Sequence, residues 1–301
     1  MSTTNSSIRL SSALPDPGVM IVALLLFALL LPACAEAQPV NYHQEAFAAG
    51  RTVVTVPWYP DQSGGVAVTV YTPAQKPLLG NVLVLPGWKF SPSRWLNETN
   101  LQSLADEYRL RLICPAMHSS IYASQYYPET RLKWGPVPGQ KWILERLLPD
   151  LQSRGVLRAD QNNYLLGLST GGRGVALLAL ARPNLFRAGA ALSGDYDQSA
   201  LPRDRLMTAV YGAYDRFPER WTGKDNPHQQ VSKWQMPLYL AHGTIDRVVP
   251  YSQSASFYQA LRSAHSGIEV VLQSPAAGHD FRFWGSQNKP AFDFFRKHRL
   301  P

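Results

Sequence analysis

Gly167-Leu168-Ser169-Thr170-Gly171 decides the fold. It follows an apolar run, Tyr164-Leu165-Leu166, and precedes a helical run from Arg173 to Ala181. The order is strand, tight turn, helix, with a serine at the apex. A serine hydroxyl is a weak nucleophile until it is lifted clear of the backbone and offered to a base. Glycines on both sides let the chain turn without a Cβ clash. The turn also aims the backbone N–H of Thr170 at the place where an oxyanion would form. Gly172, Gly174 and Ala176 keep the following helix slim enough to pack closely on a sheet.

Working outward, strand-like and helix-like stretches alternate. Residues 51–56 and 66–71 read as strands joined through Gly64-Gly65, an antiparallel hairpin at one sheet edge. Short apolar strands follow at 81–85, 110–114, 163–166, 188–192, 237–241 and 268–272. Helices are expected at 100–108, 140–151, 252–261 and 289–297, the first with Leu101, Leu104 and Tyr108 on one face. This alternation predicts an α/β fold, a mostly parallel sheet covered by helices on both faces.

The best candidate acid is Asp246, in His242-Gly243-Thr244-Ile245-Asp246, just past a strand. A carboxylate there can fix the tautomer of an imidazole and stabilise its cation. Asp195 and Asp197, after the preceding strand, are rivals. Of the seven histidines, His279 is the best candidate base. It follows the last strand, lies between Gly278 and Asp280, and precedes the final helix. His242 instead shapes the turn that carries Asp246. The second oxyanion donor is expected after residues 81–85, in Pro86-Gly87-Trp88-Lys89, where glycine permits close approach. The backbone N–H of Trp88 is the first choice and that of Lys89 the alternative. The sequence shows no metal-ligand spacing and no phosphate-binding glycine loop.

Two segments break the alternation. Residues 118–137 are rich in Tyr and Pro, and residues 195–234 are polar and aromatic. Both follow strands of the parallel sheet and should emerge at its C-terminal edge, where such sheets bind ligands. The second is about forty residues, too few for a core of its own, and is expected to act as a small cap-like insertion. His118, Tyr196, Tyr214 and Trp221 are candidate pocket residues, with packing under a long loop as the competing reading.

Several of these residues carry a resemblance. Leu148-Pro149, Gly167-Leu168-Ser169-Thr170-Gly171-Gly172-Arg173-Gly174, Pro183-Asn184-Leu185-Phe186 and Ala190-Ala191-Leu192-Ser193-Gly194 are similar to the esterase D group of the α/β-hydrolase superfamily. That group includes S-formylglutathione hydrolases and feruloyl-esterase-like proteins. His242-Gly243-Thr244 with Asp246, and Gly278-His279-Asp280-Phe281, resemble the acid and base loops of the superfamily. The resemblance implies a serine esterase that needs no cofactor and acts on a small-molecule ester. The same parts would serve acyl transfer or peptide hydrolysis, although 301 residues leave no room for the propeller of prolyl oligopeptidases. A non-catalytic binding protein on this fold is the rival of another class.

A chain of 301 residues could hold one large domain or two small ones, and 45% hydrophobic and 11% aromatic residues, with a low charged fraction of 17%, suit a substantial core and argue against extensive disorder. The net charge is +8, but the basic residues are scattered apart from Arg296-Lys297-His298-Arg299, which suits a helix C-terminus. No recognition motif accompanies the charge, so nucleic acid is not an expected partner. At the other end, Arg9 leads into thirteen apolar residues, 19–31, too short for a membrane span and right for a signal-peptide core. Residues 1–37 are therefore expected to be a signal peptide and 38–301 the hydrolase domain. Cleavage would fall after Ala35-Glu36-Ala37. The alternative is a lipobox, Leu31-Pro32-Ala33-Cys34, with a lipid anchor at Cys34 as the only membrane contact. Both predict export, to the periplasm or beyond. Of the two cysteines, Cys114 lies in a strand pattern and is expected to be a buried, inert thiol. Oligomeric state has no signature in the sequence.

Overall fold

The computed structural model describes residues 47–59 and 64–300. The signal peptide expected at 1–37, with Cys34, lies outside the described residues. The first elements among the described residues are β1 (Gly50–Pro57) and β2 (Gly65–Thr72), which pair antiparallel from Gly50 opposite Thr72 to Pro57 opposite Gly65. Next come β3 (Gly80–Leu85), α1 (Pro92–Glu98), α2 (Leu101–Tyr108) and β4 (Leu110–Pro115). A continuous helical stretch follows: α3 (Gly139–Trp142), a π turn (Ile143–Leu147) and α4 (Leu148–Ser153). Pro149 has no N–H to close a bond one turn back, which suits a widened turn immediately before it.

The second half is β5 (Asn163–Leu168), α5 (Thr170–Ala181), β6 (Ala188–Leu192), α6 (Arg205–Tyr211) and α7 (Pro218–Thr222). It ends with β7 (Leu238–Ala241), α8 (Ser252–Ala264), β8 (Val270–Gln273) and α9 (Phe281–Lys297). The strands form one sheet in the order β1-β2-β4-β3-β5-β6-β7-β8, parallel from β4 onward.

Burial explains the order. Every residue of β3, β4, β5 and β6 is buried, the mark of strands covered on both faces, whereas β1 alternates as an edge strand does. Successive residues serve opposite cores. Leu83, Leu85 and Leu165 pack on one face with Val175 and Leu178 of α5. Val82, Val84 and Leu166 pack on the other with Leu101, Leu104 and Phe292. Cys114 is a free, buried thiol that burial pushes up to about 12.

Two helices start three or more residues earlier than expected. The last helix begins at Phe281, not 289, because Asp280 caps it by accepting from the Phe283 N–H at 2.9 Å, and Pro290 sits inside it. The helix after the serine begins at Thr170, directly at the turn.

Candidate active site

The turn at Ser169 is built by close backbone contacts. Ser169 has φ 54° and ψ −126°, a strained conformation for a residue with a side chain. Its N–H donates to the Leu192 carbonyl at 2.8 Å, tying the apex to β6. A Cβ on Gly167 would collide with the Gly171 carbonyl, and one on Gly171 with the Leu85 carbonyl. Both flanking glycines are therefore required by the approach of β5, α5 and β3 to one another.

The structure brings Ser169, His279 and Asp246 into one hydrogen-bonded chain. Nε2 of His279 lies 3.0 Å from Ser169 Oγ, and Nδ1 lies 2.7 Å from Asp246 Oδ2. A carboxylate only accepts, so Nδ1 carries the proton and Nε2 is free to receive that of the serine. The imidazole is wedged by Trp284, whose ring meets it edge-on at 4.9 Å and whose Nε1 donates to Ser193 Oγ at 3.1 Å.

Asp246 is held just as firmly. Its Oδ1 accepts the N–H groups of Val248 at 2.8 Å and Val249 at 3.0 Å. Burial pushes its carboxyl up, but hydrogen bonds from His242 and His279, the charge of His279 and the Val248 N–H outweigh burial and hold it far below the usual carboxylate range. His242 is fully buried beside it, with Nδ1 2.7 Å from Ser254 Oγ. The acid and base loops are joined by backbone bonds, Thr244 N–H to the Pro275 carbonyl at 2.9 Å and Ile245 N–H to that of Ala277 at 3.3 Å. Gly243 lies so close to Ala277 that a Cβ would strike its carbonyl.

Gly87 brings the loop after β3 against the serine: a Cβ there would come within 3.0 Å of Ser169 Cβ. The Tyr122 hydroxyl donates to the Pro86 carbonyl at 2.7 Å and fixes that loop. The N–H of Lys89 is engaged by the His118 carbonyl at 2.7 Å, which removes it as an oxyanion donor. Among the described residues, the N–H groups of Trp88 and Thr170 have no hydrogen-bond partner, and both residues line the cleft at Ser169.

That cleft has a volume of about 150 Å³. Leu201, Leu206, Met207, Val248 and Val249 line it with apolar side chains, and Asp195, Gln198 and Asp204 line it with polar ones. The start of the 195–234 segment is thus a wall over the serine. Four candidate pocket residues are corrected. Tyr196 is fully buried and stacks on Phe257 at 4.5 Å. Trp221 is fully buried, its Nε1 donating to the Gly212 carbonyl at 3.0 Å, and Tyr214 packs edge-on against it at 5.6 Å. Trp221 belongs to a satellite core with Ile121, Met207 and Tyr211, which ties the two irregular segments together. His118 is exposed and contributes its carbonyl to the Lys89 turn, not its ring to the cleft.

One buried cluster next to the cleft has no signal in the sequence beyond charge. Arg173, fully buried on α5, reaches Asp195 Oδ2 at 3.3 Å, Gln198 Oε1 at 2.9 Å, the Tyr211 hydroxyl at 3.0 Å and the Asp225 carbonyl. Burial pushes the Asp195 carboxyl up to about 6 against the pull of Arg173. Asp195 therefore pairs with an arginine and not with His279. Among the described residues, no group of three His, Cys, Asp or Glu side chains is placed to hold a metal ion.

Comparisons with known proteins bear on the family and the fold. The model of the prolyl oligopeptidase family matches residues 148–298, from α4 to the end of α9. Esterase LipC of Mycobacterium tuberculosis is 32% identical over 90 residues, 28% of this chain and 22% of LipC. A poly(3-hydroxyoctanoate) depolymerase of Pseudomonas fluorescens is 30% identical over 122 residues, 40% of this chain and 36% of the depolymerase. These alignments span well under half of either relative. An S-formylglutathione hydrolase from Agrobacterium tumefaciens superimposes with a TM-score of 0.68 at 16% identity, covering 84% of this chain and 98% of that one. The fold is that of the α/β-hydrolases.

Proposed function

The chain belongs to the prolyl oligopeptidase family, and we propose that it is an exported serine hydrolase of the carboxylesterase type, working through an acyl-enzyme. The observation that carries this reading is the chain of hydrogen bonds from Ser169 through His279 to Asp246, at 3.0 and 2.7 Å. Ser169 attacks the ester carbonyl while His279 takes its proton. Asp246 holds the imidazole and stabilises its cation. The N–H groups of Thr170 and Trp88 receive the oxyanion. His279 then protonates the departing alcohol, and water releases the acyl group by the same route. Esterase LipC and the depolymerase, by their names, support an ester as substrate.

Export rests on the apolar run at 19–31 and on the two processing signals after it, Ala35-Glu36-Ala37 and Cys34. N-terminal sequencing and lipid labelling of protein expressed in a bacterial host separate simple cleavage from lipidation; an unprocessed N-terminus contradicts both.

The family match favours a second reading, peptide hydrolysis by the same residues. A cleft of about 150 Å³ is the size that holds a benzene ring and is below the usual ligand pocket, which argues for a small acyl group. A panel of p-nitrophenyl esters of increasing chain length, run beside acyl-peptide p-nitroanilides, tests the choice. Turnover of short esters well above that of the anilides is expected; the reverse order establishes the peptidase.

A further inference from the structure

We infer that Asp195 is a specificity-determining residue that selects acyl groups bearing a hydroxyl, an inference that rests on the ester-hydrolase reading above. The cleft identifies which half of the substrate it holds. Trp88 and Thr170, the proposed oxyanion donors, line it together with Ser169, and His279 does not. The alcohol must take its proton from His279 Nε2, so it departs on the imidazole side. The group left in the cleft is the acyl chain.

The cleft is chemically mixed. Leu201, Leu206 and Met207 suit hydrocarbon, while Asp195 adds a carboxylate that is almost wholly buried. Arg173 takes one of its oxygens at 3.3 Å and is itself pinned by Gln198 and Tyr211, so Asp195 is held in place. A carboxylate accepts about four hydrogen bonds, and Arg173 together with the backbone N–H of Asp195 itself leaves acceptor capacity unused. Because Arg173 already offsets the charge, the complement is a neutral donor. A hydroxyl fits a cleft this small. A plain alkyl chain would cover the remaining acceptor capacity of Asp195 without supplying a donor, and leaving a buried acceptor unpaired is penalised more than the bond itself gains. A second carboxylate would be repelled by Asp195 and by Asp204, which also lines the cleft.

The test uses the full chain with p-nitrophenyl esters of 3-hydroxybutyrate, butyrate and 3-methoxybutyrate. Each kcat/KM is divided by the alkaline hydrolysis rate of the same ester, which removes intrinsic reactivity. The hydroxy ester is expected to lead the other two by roughly tenfold or more. Asp195→Asn should reduce both ratios to within about twofold, since the charged acceptor is lost. Each ratio is taken on one sample, so a partly folded variant does not distort it. The methoxy comparison needs no variant, because an ether fills the space without donating. Equal rates on the three esters overturn this inference alone, as does a preference that survives Asp195→Asn. Failure to cleave any of them overturns the ester-hydrolase reading and this one with it.

Discussion

Nε2 of His242 lies 3.4 Å from Oδ2 of Asp246, the same oxygen that receives Nδ1 of His279. That N–H also donates to the Val249 carbonyl at 3.0 Å, so one buried imidazole closes the loop that carries the acid. On the proposed mechanism His242 acts through Asp246, as a positioning residue. His242→Phe removes the hydrogen bonds to Ser254 and Val249 and the contact with Asp246 from a fully buried site and should lower stability by about 1–3 kcal/mol. We expect kcat to fall by roughly tenfold or more with KM less affected, because the loss is felt when His279 gains charge. His242→Gln, which keeps a donor, should recover part of kcat. Denaturant midpoints and the kcat–KM split check this; an unchanged kcat contradicts it.

Asp195 makes stability depend on pH in a defined direction. Its folded carboxyl is pushed up to about 6, whereas an unfolded aspartate titrates near 3.9. Between these values the folded state holds a proton that the unfolded chain has released. The contribution is fully present below about pH 4 and lost as pH rises through about 6. Asp246, held low, works the other way: its contribution is present above about pH 4 and lost on acidification. Asp195→Asn cannot titrate. The urea midpoint of the variant relative to wild type should therefore rise between pH 4 and 6 and level off above. A constant difference across that range contradicts the assignment.

The turn glycines should tolerate nothing larger. A Cβ on Gly171 meets backbone oxygen of β3, which cannot rotate away as a side chain can. Gly171→Ala is expected to cost about 3 kcal/mol or more and to lower activity further by displacing Ser169. Calorimetry of the purified variant checks it, and wild-type stability would contradict the contact.

The aromatic residues of the 195–234 segment and its aliphatic ones should behave differently. Trp221 is a core side chain, and Trp221→Ala should cost about 3–5 kcal/mol. Leu206 is only partly buried and lines the cleft, so Leu206→Ala should shift preference toward longer acyl chains with little loss of stability. An ester panel and thermal melts on both variants distinguish the roles.

The contrast between those two residues shows how far the sequence could be read. The eight strands were legible because the central ones are apolar at every position and separated by helical periods. That Ser169, Asp246 and His279 lie side by side could be anticipated because each sits in a short turn just past a strand, and chain order then brings them to one edge. Which way an aromatic side chain points is set by distant packing: Trp221 meets Ile121 about a hundred residues away. Arg173, two residues past the turn motif, gave no hint that Asp195, Gln198, Tyr211 and Asp225 would gather round it, because those contacts depend on how a long loop folds back. Pro290 hid the first two turns of α9, which the Asp280 cap starts.

The central claim is that Ser169 is the nucleophile. It is tested most directly by treating the protein with a p-nitrophenyl alkylphosphonate, which transfers its phosphonyl group to an activated serine, and weighing the intact chain. One adduct per chain, mapped by peptide mass to Ser169, is expected, with loss of esterase activity in step with labelling. Ser169→Ala should take no adduct and lose roughly 10⁴-fold or more in turnover while melting like the wild type. An adduct on another residue, or near-wild-type turnover by pure Ser169→Ala, would contradict the account.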